Sequence, residues 1–154
     1  MLSPGERIVL YAGLLLIVDL VFLPWHRVDI GGLDIDFDLT RSGVQDPNGG
    51  YGVAAVVLML LMIAQIALAR LLSVRLPSLP VPWSQVHLIL GIFVAVLLVI
   101  KLIRETEFLG YGAYSGILAG ILVAYGGYRI AQEPREPPEP YEPGDPASTR
   151  GIGV

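Results

Sequence analysis

Apolar residues fall into four long runs, Ile8–Leu23, Val53–Leu72, Val86–Ile103 and Leu109–Ile130, separated by short polar or proline-containing segments. A bilayer hydrocarbon core about 30 Å thick is crossed by roughly 20 apolar residues of helix, and each run reaches that length once its interfacial flanks are added. Inside lipid the backbone must satisfy its own hydrogen bonds, which a helix does within one segment. The pattern therefore predicts an all-α membrane protein. Its expected form is a four-transmembrane-helix bundle with an extracytoplasmic β-hairpin loop and a disordered proline-rich tail. Residues 1–130 form the transmembrane domain, with helices at about 8–23, 53–72, 86–103 and 109–130 and an external loop at 26–52. Residues 131–154 form the cytoplasmic tail.

Two segments depart from the apolar pattern. After the first run, Val28 to Leu39 alternates apolar and acidic residues around Gly31-Gly32. Period-two alternation marks a strand with one covered face, and Gly-Gly suits a tight hairpin turn because both central positions need positive φ. Asp34, Asp36 and Asp38 then form an external acidic face. An Asp-x-Asp-x-Asp run opens a calcium loop, but Leu39 stands where that loop needs Gly and Gln45 where it needs Glu. Alternate residues of one strand also lie about 7 Å apart. A solvated face is the first reading, with weak cation or basic-partner binding as the alternative. The other departure is Glu133 to Pro143, rich in Pro and Glu, which has nothing to bury and reads as a disordered, extended tail.

The first run is distinguished from a cleavable signal peptide by its end. Phe22-Leu23-Pro24-Trp25-His26 is bulky where a cleavage site needs small residues, so it is retained as the first helix. Arg7, Arg70, Arg75, Arg129, Arg135 and Arg150 would lie on one side, and Arg27, Arg41, Lys101 and Arg104 on the other. Six against four places both termini in the cytoplasm. Trp25 and the outer tyrosines, with Trp83 and the inner ones, are expected as interfacial belts.

Composition sharpens this picture. The chain is 54% hydrophobic and only 16% charged, below the roughly 25% charged residues of soluble domains. Its formal charge of −4 comes mostly from the first loop and the tail, and no basic patch points to nucleic acid. Cysteine is absent, which removes disulfides, thiolate chemistry and cysteine-ligated metals. No Ser-His-Asp set, metal cluster or phosphate loop is present, so no catalytic, cofactor-binding or metal-ligating residue is assigned, and the chain is expected not to be an enzyme.

Ionisable residues within the spans are the default functional candidates. They sort into an outer layer of Asp19, Lys101, Arg104, Tyr114 and Ser115 and an inner layer of Tyr11, Gln65 and His87, with aliphatic sequence between. Helices one and three both run outward, so Asp19 and Lys101 approach the same boundary and are expected to form an intramembrane ion pair. A water-exposed or neutral Asp19 is the second reading, and a proton or ligand role the third. Gly112, Gly116 and Gly120 lie at spacing four on helix four and predict a close helix-packing face, either within the bundle or at a self-association seam.

Leu2-Ser3-Pro4-Gly5-Glu6-Arg7, then Phe22-Leu23-Pro24-Trp25, then Arg41-Ser42-Gly43, resemble small uncharacterised four-pass membrane proteins of actinobacterial type. That resemblance covers residues 1 to about 130 in layout. It implies a bacterial plasma membrane and brings no activity with it. Claudin-like proteins share the helix count and a strand-bearing first loop, but their loop cysteines are missing here. The expected function is a structural or accessory membrane protein whose partners are the lipid bilayer and other membrane proteins or itself. The alternative is a transporter or channel subunit using Asp19 and Lys101.

Overall fold

The computed structural model describes residues 2–28, 39–45, 48–70, 72, 80–104, 106 and 109–133. Gly31-Gly32, the Asp34, Asp36 and Asp38 trio, most of the proline-rich connector and the tail lie outside these residues. The described chain is mostly helical: α1 (Pro4–Phe22), α2 (Gly49–Arg70), α3 (Trp83–Arg104) and α4 (Tyr111–Gln132), with strands β1 (Pro24–Val28) and β2 (Leu39–Ser42) between the first two helices.

The start of α1 is set by polar residues ahead of the apolar run. Ser3 takes an extended backbone, its hydroxyl accepts from the Glu6 N–H at 3.1 Å, and the Glu6 carboxylate accepts from the Ser3 N–H at 2.8 Å. This reciprocal capping box satisfies two donors that the first turn would otherwise leave open. Pro4 follows at the first helical position, where its missing N–H costs nothing. The helix thus begins four residues before the apolar run. It ends where Pro24 pushes Leu23 out of helical geometry, to φ −88° and ψ 146°.

Neighbouring helices run antiparallel around a four-membered ring, α1–α4–α3–α2 and back to α1. Gly5, early in α1, lies against Ile130 late in α4, while Asp19 near the end of α1 meets Ser115 near the start of α4. Gly91 lies against Ala124, and Gly127 against His87 and Leu88, fixing α3 beside α4. α4 has the tightest contacts, since its glycines let both neighbours approach its backbone. The termini of the bundle and the paired strands therefore sit at opposite ends, called here the termini end and the strand end.

β1 and β2 pair antiparallel with Val28 opposite Leu39, Arg27 opposite Thr40 and His26 opposite Arg41. The expected pairing of the first loop is present as a two-stranded hairpin, while the Gly31-Gly32 turn itself lies outside the described residues. The strands also reach outward from the alternating segment to include Pro24-Trp25-His26-Arg27. Beyond β1, His26 bridges to Leu109 and the Gly110 N–H donates to the Trp25 carbonyl at 2.8 Å, so β1 is hydrogen-bonded on both sides.

α2 and α3 are long and apolar enough to cross a membrane by length and composition. α1 and α4 fall short for identifiable reasons. Glu6, Arg7 and Asp19 interrupt α1, and α4 is diluted by Gly112, Gly116, Gly120, Gly126 and Gly127 together with four tyrosines. Large apolar side chains are exposed along every helix, around a mostly apolar core that also takes in a few polar residues. Tyr11, Leu14, Leu15, Phe22, Leu60, Leu61, Ile103, Leu118 and Ile121 are exposed, while Glu6, Asp19, His87 and Lys101 are buried.

Candidate functional site at the strand end

Trp25 organises the site. It sits second in β1, directly after the proline that ends α1, and the strand pairing turns its indole into the end of the bundle. There it is fully buried. The indole N–H donates to Asp19 Oδ2 at 2.9 Å. The Lys101 ammonium lies 5.6 Å from the ring centroid, within the range of a cation–π contact. One aromatic side chain from the strands therefore touches a carboxylate of α1 through its N–H and a cation of α3 through its face.

Asp19 is 1% exposed and Lys101 0%. The second carboxylate oxygen, Oδ1, accepts from the Ser115 hydroxyl of α4. That hydroxyl also lies 3.2 Å from the carbonyls of Tyr111 and Gly112 in the preceding turn. Lys101 Nζ donates to the Asn48 carbonyl just ahead of α2, at 3.4 Å. All four helix entries or exits at this end thus contribute to one polar cluster. The two residues that the sequence placed at the same depth are brought onto the same indole, Asp19 at its N–H edge and Lys101 over its face. Trp25 itself is corrected from a belt residue to a buried core residue, because the strand pairing draws it inward.

Two of the three seam glycines make room for this cluster. A Cβ on Gly116 would stand 2.6 Å from Asp19 Oδ2 and collide with the Trp25 ring. On Gly112 it would stand 2.9 Å from the Pro24 carbonyl oxygen and 3.1 Å from Trp25 Cδ1. Gly120 lies deeper, against Leu98 of α3. The glycine face is thus occupied within the chain, by β1 above and α3 below. Gly43, which follows β2, closes the other side of the indole.

A second polar group lies at the termini end, and its main member was not singled out in the sequence. Glu6 Oε1 accepts from Arg70 Nε of α2 at 2.8 Å, with Arg70 about half exposed and Glu6 largely covered. The Gly5 N–H donates to Glu133 at 3.1 Å, tying the end of α4 to the first turn of α1. The Ser3-x-x-Glu6 spacing before an apolar run was the available signal for this cap. His87 is buried nearby; its Nδ1 lies 3.0 Å from the Trp83 carbonyl. A carbonyl only accepts, so Nδ1 carries the hydrogen of this contact.

Between the two polar ends the buried residues are Ala12, Leu16, Met59, Val94, Leu98, Ala119 and Val123, part of one continuous apolar cluster. Among the described residues no group of three His, Asp or Glu could hold a metal ion. Comparisons with protein-family models, with curated proteins and with solved structures give no match.

Proposed function

We propose that this is a multi-pass membrane protein in which all four helices cross the bilayer, and that it serves a structural or accessory role by mounting the paired strands on the outer surface. The observation that carries the reading is the exposure of large apolar side chains on all four helices. In water, so many exposed Leu, Ile, Val and aromatic residues on every helix would form an aggregating surface. In lipid the same surface is solvated, and the few polar groups turn inward to each other. At 1.5 Å per residue, the 19 residues of α1 span about 28 Å and the 22 residues of each other helix about 33 Å, matching a hydrocarbon core near 30 Å.

Arg7, Arg70 and Arg129 stand at the termini end, and with Arg75, Arg135 and Arg150 of the segments that continue from it they outnumber Arg27, Arg41, Lys101 and Arg104 six to four, which supports a cytoplasmic placement of both termini and an external placement of the strands. A cell membrane of bacterial type agrees with the layout. The apolar middle of the bundle supports a mount over a conduit, because a conducting path needs polar steps between the two ends. The absence of cysteine makes the test direct. A cysteine introduced at Asp34 is expected to react with a membrane-impermeant thiol reagent on intact cells, and one at Ser148 only after lysis. Labelling of Ser148 alone on intact cells overturns the orientation, and extraction of the protein into buffer without detergent overturns the membrane reading.

A further inference from the structure

The Asp19 cluster has a property that the mounting role does not require. The Ser115 hydroxyl has one proton and three acceptors within reach: Asp19 Oδ1 and the carbonyls of Tyr111 and Gly112. When it donates to Asp19, the carboxylate takes two donors, Ser115 and the Trp25 N–H, and is charged. When it turns to either carbonyl, the same oxygen–oxygen contact is kept by a proton on Asp19 itself, with Ser115 as acceptor. Both proton placements fit the same heavy-atom positions. A simple anchoring carboxylate needs only the first.

We propose that Asp19 is a reversible proton-binding site, and that its charge state sets how firmly Trp25 and the paired strands are held on the bundle. This rests on the reading of the strands as a mounted external element. The step balances simply. A proton from water adds to Oδ1, the Ser115 O–H rotates from Oδ1 to a backbone carbonyl, and no heavy-atom bond changes. The charge-assisted bond from the Trp25 N–H then becomes a neutral one, which is weaker. Lys101, over the face of the same ring, loses the negative charge at that ring's N–H edge. Asp19 lies three residues before the end of α1, about 4.5 Å along the axis, so the path from the outer surface is short.

Among the described residues, the groups facing the site are these. Ser115 faces it from α4 and Trp25 from β1, Lys101 of α3 lies over the ring's face, and the Asn48 carbonyl ahead of α2 meets Lys101. His26 follows Trp25 on β1 and is buried at the same end, so its titration must be separated from that of Asp19.

Trp25 reports the state directly once Trp83 is replaced by Phe, since the chain has two tryptophans. The experiment measures acrylamide quenching of Trp25 in the full chain in detergent, from about pH 4 to about pH 9, the span that displaced carboxyl groups cover. Quenching is expected to rise severalfold as pH falls. Asp19→Asn, which keeps an acceptor for the indole but cannot change charge, is expected to flatten the curve. Ser115→Ala should move the midpoint, and Ser115→Thr should restore it. A flat wild-type curve, or one that persists in Asp19→Asn and so belongs to His26 or another group, overturns the proposal. Should Asp19→Asn fail to fold, the wild-type infrared difference between the two pH extremes decides, because a protonated-carboxyl band is required and its absence refutes the site. Quenching in detergent is blind to sidedness, so its failure leaves the mounting reading standing.

Discussion

Replacing Gly116 with Ala puts the packing argument at risk in a single methyl group. The new Cβ would stand 2.6 Å from Asp19 Oδ2 and inside contact distance of the Trp25 ring. The ring has no room to yield, held as it is by Asp19 at its N–H, Gly43 on one side and Gly112 on another. Overpacking of this kind costs about 1–3 kcal/mol, and displacing the indole also strains a hydrogen bond to a charged group worth about 1.5–3 kcal/mol. Against this, Ala is favoured over Gly in a helix interior by about 1 kcal/mol. The net expectation is a loss of about 1–3.5 kcal/mol, from the overpacking and about half of the hydrogen bond less the helical gain.

Two other glycines calibrate that figure. Gly120 would meet only the tip of Leu98, a flexible methyl that can turn away, so Gly120→Ala should cost much less. Gly50 in the first turn of α2 has nothing within 4 Å of its added Cβ, and Gly50→Ala should stabilise by up to about 1 kcal/mol. Thermal unfolding in one detergent, with oligomeric state checked by size exclusion, ranks the three. A Gly116→Ala variant as stable as Gly120→Ala refutes the placement of Trp25 against α4.

Asp19→Asn and Lys101→Met should each lower stability in detergent, and the double variant should lose less than the sum, with a coupling of about 0.5–3 kcal/mol. Trp25→Leu should remove most of that coupling, because the ring is what both groups touch; strictly additive losses with Trp25 in place would sink the link. At the termini end, Ser3→Ala should cost about 0.5–2 kcal/mol through the lost cap. Arg70→Met should cost less, at most about 1 kcal/mol, since Arg70 is half exposed. Unfolding midpoints that reverse this order would show the ion pair, and not the cap, to be the stronger tie.

The four helices were legible because each is an almost unbroken apolar run, a signal that needs no knowledge of neighbours. Their ends were less so. α1 begins at Pro4 because of Ser3 and Glu6, polar residues that a search for apolar length passes over. The strands were legible in kind but not in place. Alternation between Val28 and Leu39 suggested pairing across Gly31-Gly32, while the observed register is set around Trp25, whose partners Asp19, Lys101 and Gly116 lie on three different helices. Depth alone put Asp19 and Lys101 at one level, since residues on parallel helices can be counted from the same boundary. What stands between them is a matter of tertiary packing, and a linear count does not reach it. The glycine seam was visible by its spacing, but the same spacing serves a second copy or a strand of the same chain equally well.

The arrangement of polar groups bears on why such a protein would keep charges in its interior at all. Burying a carboxylate and an ammonium is costly, and well-packed apolar residues often serve stability as well or better. Charges confined to one end do something apolar residues cannot: they recognise direction and register. Trp25 can satisfy its N–H only where Asp19 is, and place its face beside Lys101 only in one orientation, so the strands dock in one pose. The apolar middle, with Leu16, Met59, Val94 and Val123 fully buried, keeps that end isolated from Glu6 and His87. A conduit would need these residues to be interrupted by polar ones; a mount needs them continuous, because they hold the helix ends in fixed relation while the strand end is specified by its polar contacts.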